Sequence, residues 1–161
     1  MLAGAPAVLP IHDTDFAHVR PLDAVTSRLI VDGRRRSPTL NALVGDLERR
    51  EIVVYVTLSP IVPSRGSLCF VMRTASVTYV IAHINAHQVS DRAIAAIGHE
   101  LRHALEVAGA VPAVSSAADL EALYRRIGHA TGRDRFESEA ALVTERAVAA
   151  ELVRGATRRQ P

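Results

Sequence analysis

Two histidines four positions apart constrain this chain of 161 residues more than any other feature. His99 and His103 enclose Glu100 in the pattern H-E-x-x-H, within a segment whose apolar residues recur at helical spacing. Residues four apart project from the same face of a helix, so both imidazoles can reach one ion. The pattern therefore predicts a helix that carries a metal site on one face.

Zinc is the metal we expect, at one ion per chain, because it suits neutral imidazole nitrogens and a catalytic zinc keeps one position open for water. Glu100 follows the first histidine, where its carboxylate can take a proton from that water. We predict His99 and His103 as zinc ligands and Glu100 as the general base of a hydrolase. The alternative is two surface histidines beside a surface glutamate, which would not explain why the motif lies in a capped, amphipathic helix.

The surrounding pattern predicts an α+β fold, with a small three-stranded sheet packed against the motif helix and further helices. Ser37 followed by Pro38 marks a helix start, and Ser90 and Ser116 are predicted N-caps. Short connections between the strands favour an antiparallel meander, although a mixed sheet is also compatible with them. The predicted elements are a short helix at 23–30, a helix at 37–50, strands at 52–58, 67–73 and 77–85, and helices at 90–109, 116–128 and 135–154.

The length fits a single domain, which we place at residues 21–154, after a mobile lead-in at 1–20 and before a frayed tail at 155–161. A single cysteine, Cys69, excludes an intrachain disulfide and a four-thiolate zinc site. Because it lies in an apolar run, we expect a buried, inert thiol.

Charge and hydropathy exclude several classes of partner. No apolar stretch approaches the ~18–20 residues that span a bilayer, and no secretory signal is apparent. We therefore expect a cytoplasmic protein without a membrane partner. The net charge is +2 and aromatic residues make up 4%, so we expect no nucleic-acid partner. The arginine clusters at 34–36 and 158–159 are typical of solvated surface, and a DNA-associated protein that uses them is the weaker alternative.

The H-E-x-x-H helix after a run of strands resembles the zincin fold of metallopeptidases. The segments Gly98 to Ala104 and Phe136 to Ala141 are also similar to small bacterial zincin-like proteins with a GHELxHA helix and a later FE[ST]xAA helix. The resemblance implies a peptide or protein substrate. It also implies that the strand before the motif helix, here Val77 to Asn85, is the sheet edge that holds an extended substrate.

The third ligand separates the zincin subfamilies. The metzincin pattern requires glycine and histidine where this chain has Glu106 and Gly109, which excludes it. Resemblance to the gluzincin type implies a glutamate from a downstream helix, and both Glu137 and Glu139 lie on the predicted last helix. On a helical wheel Glu139 points away, toward Arg146. We predict Glu137 as the third zinc ligand, because it shares a face with the small or apolar residues Ala140, Ala141, Thr144 and Val148.

Other polar residues have possible roles around this centre. Glu106 lies one turn beyond His103, where it either orients that imidazole or is a polar residue at a helix end whose hydrogen bonds are satisfied. Tyr124 and His129 are the candidates to donate a hydrogen bond to a transition-state oxyanion. His83 and His87 flank the end of the third strand and either contact substrate or metal or are structural.

These features together predict a metallopeptidase in which water attacks an amide carbonyl, with Glu100 as general base. A non-catalytic zincin-fold binding or regulatory protein that retains structural zinc is the alternative. Glu100 argues against that alternative, since a structural site has no need of a base at this position.

Overall fold

A computed structural model of the chain describes residues 17–62, 64–132 and 135–157. Within these residues the fold is α+β, with five helices, a four-stranded mixed sheet and a two-stranded hairpin. Residues 1–16 of the predicted lead-in and 158–161 of the predicted tail lie outside the described residues. The elements are β1 (Val19–Pro21), α1 (Ala24–Arg36), α2 (Pro38–Leu47), β2 (Ile52–Ser59), β3 (Gly66–Arg73), β4 (Thr78–Asn85), α3 (Ser90–Ala108), α4 (Ala117–Ile127), β5 (His129–Gly132), β6 (Arg135–Glu137) and α5 (Glu139–Thr157).

The main sheet has the strand order β1-β2-β4-β3. Strand β2 pairs in parallel with both β1 and β4, and β3 is antiparallel to β4. The predicted antiparallel meander is therefore wrong, and the mixed alternative is correct. The expectation that Val77 to Asn85 forms the sheet edge is also wrong, because the backbone of β4 is hydrogen-bonded on both sides. The edge strand beside β4 is β3.

Local capping signals explain the first two helices. The Asp23 carboxylate accepts a hydrogen bond from the Thr26 backbone at 2.8 Å, and the Ser37 hydroxyl accepts one from the Leu40 backbone at 3.0 Å. Ser37 and Pro38 thus begin α2 as predicted. The predicted apolar face of α2 is buried and comprises Leu40, Leu43, Val44 and Leu47.

Helix α3 runs through the middle of the molecule and contacts α1, α2, α5 and the sheet. Its N-cap is Val89, without a side-chain bond, so the prediction that Ser90 caps this helix is wrong by one residue. Gly98 permits close packing against α5, since a Cβ atom there would lie 3.0 Å from Val148 Cγ2. Because α3 is covered on several sides, a polar side chain on its buried faces needs partners within the protein.

The predicted last helix begins later than expected. Residues 135–137 form β6, which pairs with β5, and α5 begins only at Glu139. The Ser138 hydroxyl accepts a hydrogen bond from the Ala141 backbone and so starts the helix there. Glu137 is therefore the last residue of a strand.

Three further findings concern the surface and the ends of the sheet. Cys69 is exposed, contrary to the expected burial, because its side chain lies on the opposite face of β3 from Leu68 and Phe70, which pack against the core. Strand β1 begins at Val19, within the segment predicted as lead-in. Among the described residues, no helix combines the length and apolar character needed to cross a membrane.

Replacing Glu151 by glutamine should destabilise the protein. The Glu151 carboxylate accepts hydrogen bonds from the Ser37 hydroxyl and from the Thr39 backbone and hydroxyl, which joins α5 to α2. Because hydrogen bonds to a charged acceptor are strong, we expect Glu151→Gln to lower the free energy of unfolding by about 1–3 kcal/mol at pH 7, measured by urea denaturation. Glu139→Gln is the control, since that side chain is 70% exposed, and its effect should stay within about 0.5 kcal/mol.

The destabilisation caused by Glu151→Gln should depend on pH. Burial raises the pKa of Glu151, but the bonds from Ser37 and Thr39 outweigh it and hold the pKa below its ordinary 4.5. A carboxylate with a lowered pKa in the folded state contributes its full stability above pH 4.5 and loses that contribution as the pH falls through the lowered pKa. A difference between wild type and Glu151→Gln that grows below pH 4.5 would contradict this account.

Candidate metal centre

Helix α3 buries three polar residues side by side. His99, Glu100 and His103 are 3%, 4% and 5% exposed. Burial of ionisable groups is costly unless other groups or an ion compensate. The buried face of α3 is therefore the place in the fold where charge compensation is most needed.

The three predicted ligands meet at this face. The Nε2 atoms of His99 and His103 are 3.1 Å apart, and Glu137 Oε2 lies 2.8 Å from the first and 3.9 Å from the second. A circle through these three atoms has a radius of about 2.0 Å, close to the ~2.0–2.2 Å of zinc–nitrogen and zinc–oxygen bonds. The three residues thus form a group that can hold one metal ion.

The hydrogen bonding of Glu137 and His103 supports the fit of a metal ion to this group. Glu137 Oε2 is buried and has no aligned hydrogen bond within the described residues. On His103, Nδ1 lies 2.9 Å from the Glu106 carboxylate, which can only accept, so Nδ1 carries a hydrogen and Nε2 of the neutral ring presents its lone pair to the centre. A lone pair and an unpaired carboxylate oxygen that face the same point are the donor set that a divalent cation binds.

Each histidine has a carboxylate at its outer nitrogen. The orienting role considered for Glu106 agrees with its 2.9 Å contact to His103. For His99 the equivalent group is Glu145, whose Oε2 lies 3.2 Å from Nδ1, although the two are not aligned as a hydrogen bond. Arg65 donates to Glu145 at 2.8 Å. Such partners hold ligand imidazoles in one orientation.

Glu145 was not among the residues predicted from the sequence. This residue lies on the stripe of α5 that faces the core, at helical spacing with Ala141, Val148 and Leu152, all of which are buried. A carboxylate on an otherwise apolar stripe was the signal that could have identified it.

The electrostatics differ between Glu100 and the ligands. Burial raises the pKa of Glu100 to about 7, against the opposing effect of His103 and His99. The same two imidazoles hold the pKa of Glu137 well below its usual range. Glu137 is therefore charged near neutral pH, whereas Glu100 can bind and release a proton in that range.

The centre opens onto a cleft of about 840 Å³. One face of α4, the start of β3 and the strand β6 contribute to its lining, as does the side chain of Leu142 on α5. His83 also lines the cleft. His87 is exposed and is not among the lining residues.

The two candidate oxyanion donors are placed differently. Tyr124 lines the cleft, and its ring lies edge-on to His103 with centroids 4.9 Å apart. Burial, followed by nearby carboxylates, raises the pKa of Tyr124 well above 10.0, so the hydroxyl keeps its proton, and it has no hydrogen-bond partner among the described residues. His129 is exposed on β5 and does not line the cleft. The geometry thus favours Tyr124 over His129 as the candidate oxyanion donor.

Gly66, at the start of β3, is packed against Glu100. A Cβ atom at this position would lie 2.6 Å from Glu100 Oε1 and 3.0 Å from the backbone oxygen of His83. Only glycine leaves room there for the carboxylate in its present position.

Comparisons of the chain with protein-family models, with curated proteins and with solved structures find no match. The function of the centre therefore has to be inferred from its own geometry and chemistry.

Gly66→Ala should displace the Glu100 carboxylate. Because the added methyl group overlaps Glu100, we expect a loss of about 1–3 kcal/mol in the free energy of unfolding. The loss should be smaller when Glu100 is also replaced by alanine, which a double-mutant cycle on urea denaturation measures. Gly155→Ala is the control, since no atom lies within 4 Å of the added Cβ. An equal cost of Gly66→Ala with and without the Glu100 side chain would show that the two residues do not interact.

Proposed function

We propose that this protein is a zinc-dependent hydrolase, a metallopeptidase of the zincin-like, gluzincin type. In this proposal His99, His103 and Glu137 hold one zinc ion and Glu100 is the general base. The observation that carries the proposal is the meeting of three ligand atoms from two separate segments around one point, beside a buried carboxylate that lines the same cleft.

The residues have separate roles in the proposed reaction. Zinc, when bound, supplies a Lewis acid that polarises a carbonyl group and lowers the pKa of water. Glu100 takes a proton from the attacking water and passes it to the leaving nitrogen, a role that suits a carboxylate buried beside the two histidines. The Tyr124 hydroxyl donates a hydrogen bond to the carbonyl oxygen as negative charge develops on it. Glu106 and Glu145 keep the two imidazoles oriented.

The edge strand β3 supports an extended peptide or protein as the substrate. Gly66, Ser67 and Leu68 of β3 line the cleft beside the metal centre. In the described sheet β3 pairs only with β4, so its outer edge offers backbone donors and acceptors. An extended chain can add to such an edge as a further strand, which would pass the scissile bond alongside Glu100.

The non-catalytic alternative has the same metal ligands and differs only in what Glu100 does. A structural zinc site is usually closed by four protein ligands, whereas a catalytic site has three and an open position. The group described has three members and borders a cleft, which favours catalysis.

Metal analysis of purified variants tests the proposed centre. We expect about one zinc per chain in wild type, loss of zinc in His103→Ala and Glu137→Ala, and retention in Glu100→Gln, because Glu100 is not a ligand. Elemental analysis gives the zinc content, and the exposed Glu139→Ala is the control. Zinc retained in Glu137→Ala would move the third ligand to another residue. Absence of zinc from wild type, even after refolding with zinc, would refute the proposal.

Hydrolysis of quenched fluorescent peptides tests the chemistry. Glu100→Gln should abolish turnover while it keeps zinc. Zinc-dependent binding with unchanged affinity in Glu100→Gln, together with no turnover in wild type, would support the alternative function. We expect Tyr124→Phe to reduce kcat by about 10²–10³-fold with little change in KM or zinc content, because it removes only the hydrogen bond to the oxyanion. His129→Ala, which changes an exposed side chain outside the cleft, should leave kcat unchanged. A reduced kcat in His129→Ala, with an unchanged kcat in Tyr124→Phe, would instead identify His129 as the donor of the hydrogen bond to the oxyanion.

A further inference from the structure

Glu137, the proposed third zinc ligand, lies on a short strand. Glu137 is the last residue of β6, which has three residues and pairs with β5 in a two-stranded sheet. A two-stranded hairpin is only marginally stable by itself. Because the position of Glu137 relative to α3 decides whether the three ligands meet, β6 needs a further attachment to that helix.

The next residue, Ser138, provides such an attachment. It is 3% exposed, and its hydroxyl makes two hydrogen bonds. It accepts from the Ala141 backbone at 3.1 Å, which caps α5, and it donates to Glu106 Oε1 at 2.6 Å. The second bond crosses from the end of β6 to α3.

The Glu106 carboxylate also contacts His103, one of the proposed zinc ligands. Glu106 Oε2 lies 2.9 Å from His103 Nδ1, so one oxygen of Glu106 orients the imidazole while the other accepts from Ser138. A charged acceptor strengthens both bonds.

We propose that Ser138 is a positioning residue of the metal centre. Through its bond to Glu106 it fixes the ring of His103 and holds the strand end that carries Glu137 against α3. This inference rests on the proposed metal-binding function. It assigns to Ser138 more than the capping of α5, since capping alone would affect stability and leave zinc affinity unchanged.

Ser116 is the matched control. Its hydroxyl caps α4 by accepting from the Asp119 backbone, also at 3.1 Å. Ser116 is not among the residues that line the cleft. Ser138→Ala and Ser116→Ala therefore remove equivalent caps, and only the first removes a bond to Glu106.

The test measures zinc affinity by competition with a chromogenic chelator, and the urea midpoint of the zinc-free protein. We expect both Ser-to-Ala variants to lower the midpoint, Ser116→Ala because it loses one cap and Ser138→Ala by more, because it also loses the bond to Glu106. Zinc affinity should fall about 10–100-fold in Ser138→Ala, stay at the wild-type value in Ser116→Ala, and be largely retained in Ser138→Thr, which keeps the hydroxyl. Equal zinc affinity in Ser138→Ala and Ser116→Ala would overturn the inference and leave the proposed function intact.

A second comparison keeps the inference testable if Ser138→Ala is too unstable to purify. Glu106→Ala removes the intermediate carboxylate without touching the cap, and we expect a similar loss of zinc affinity. If Ser138 acts through Glu106, Ser138→Cys should change zinc affinity less in the Glu106→Ala background than in wild type. Equal effects in both backgrounds would overturn the inference. A wild-type protein without zinc affinity would overturn the proposed function and this inference together.

Discussion

Burial of two imidazoles and a carboxylate on one helix is the constraint on which the rest of this structure depends. Helix α3 is enclosed by other elements, so His99, Glu100 and His103 cannot rely on bulk water to solvate their charges. Their partners come from elsewhere along the chain, and the largest contribution is from the segment that contains β6 and α5. The close packing at Gly98 brings α5 onto α3. The partners supplied from that segment thus compensate the burial of the polar face.

The arrangement of the sheet has a related effect on the cleft. The parallel pairing of β2 with β4 places β3 at the edge, and the start of β3 comes so close to α3 that Gly66 contacts Glu100. A central strand in this place would have both of its backbone edges occupied by neighbouring strands. An edge strand instead borders the buried carboxylate with an unpaired backbone edge. The accessibility of the cleft therefore follows from the strand order.

The sequence predicted the features that depend on local signals. Ser37 and Pro38 started α2 where expected, and the spacing of His99 and His103 placed both on one face of α3. Strand order could not be predicted in this way, because the pairing of β2 with β4 depends on contacts between distant segments. Glu137 was chosen by a helical-wheel argument that does not apply, since the residue is in a strand, and yet it lies beside the two histidines. Glu145 was missed because its role depends on the docking of α5 onto α3.

The late position of Glu137 in the chain has a consequence for biosynthesis. The two histidines leave the ribosome 34 or more residues before it, and the helix that secures its strand follows later still. While the chain is being made, α3 and the sheet can associate, but only a two-histidine site exists until β6 and α5 have emerged and docked. Two ligands bind zinc far more weakly than three, so under the proposed function metal acquisition and activity would begin only after synthesis of this last segment.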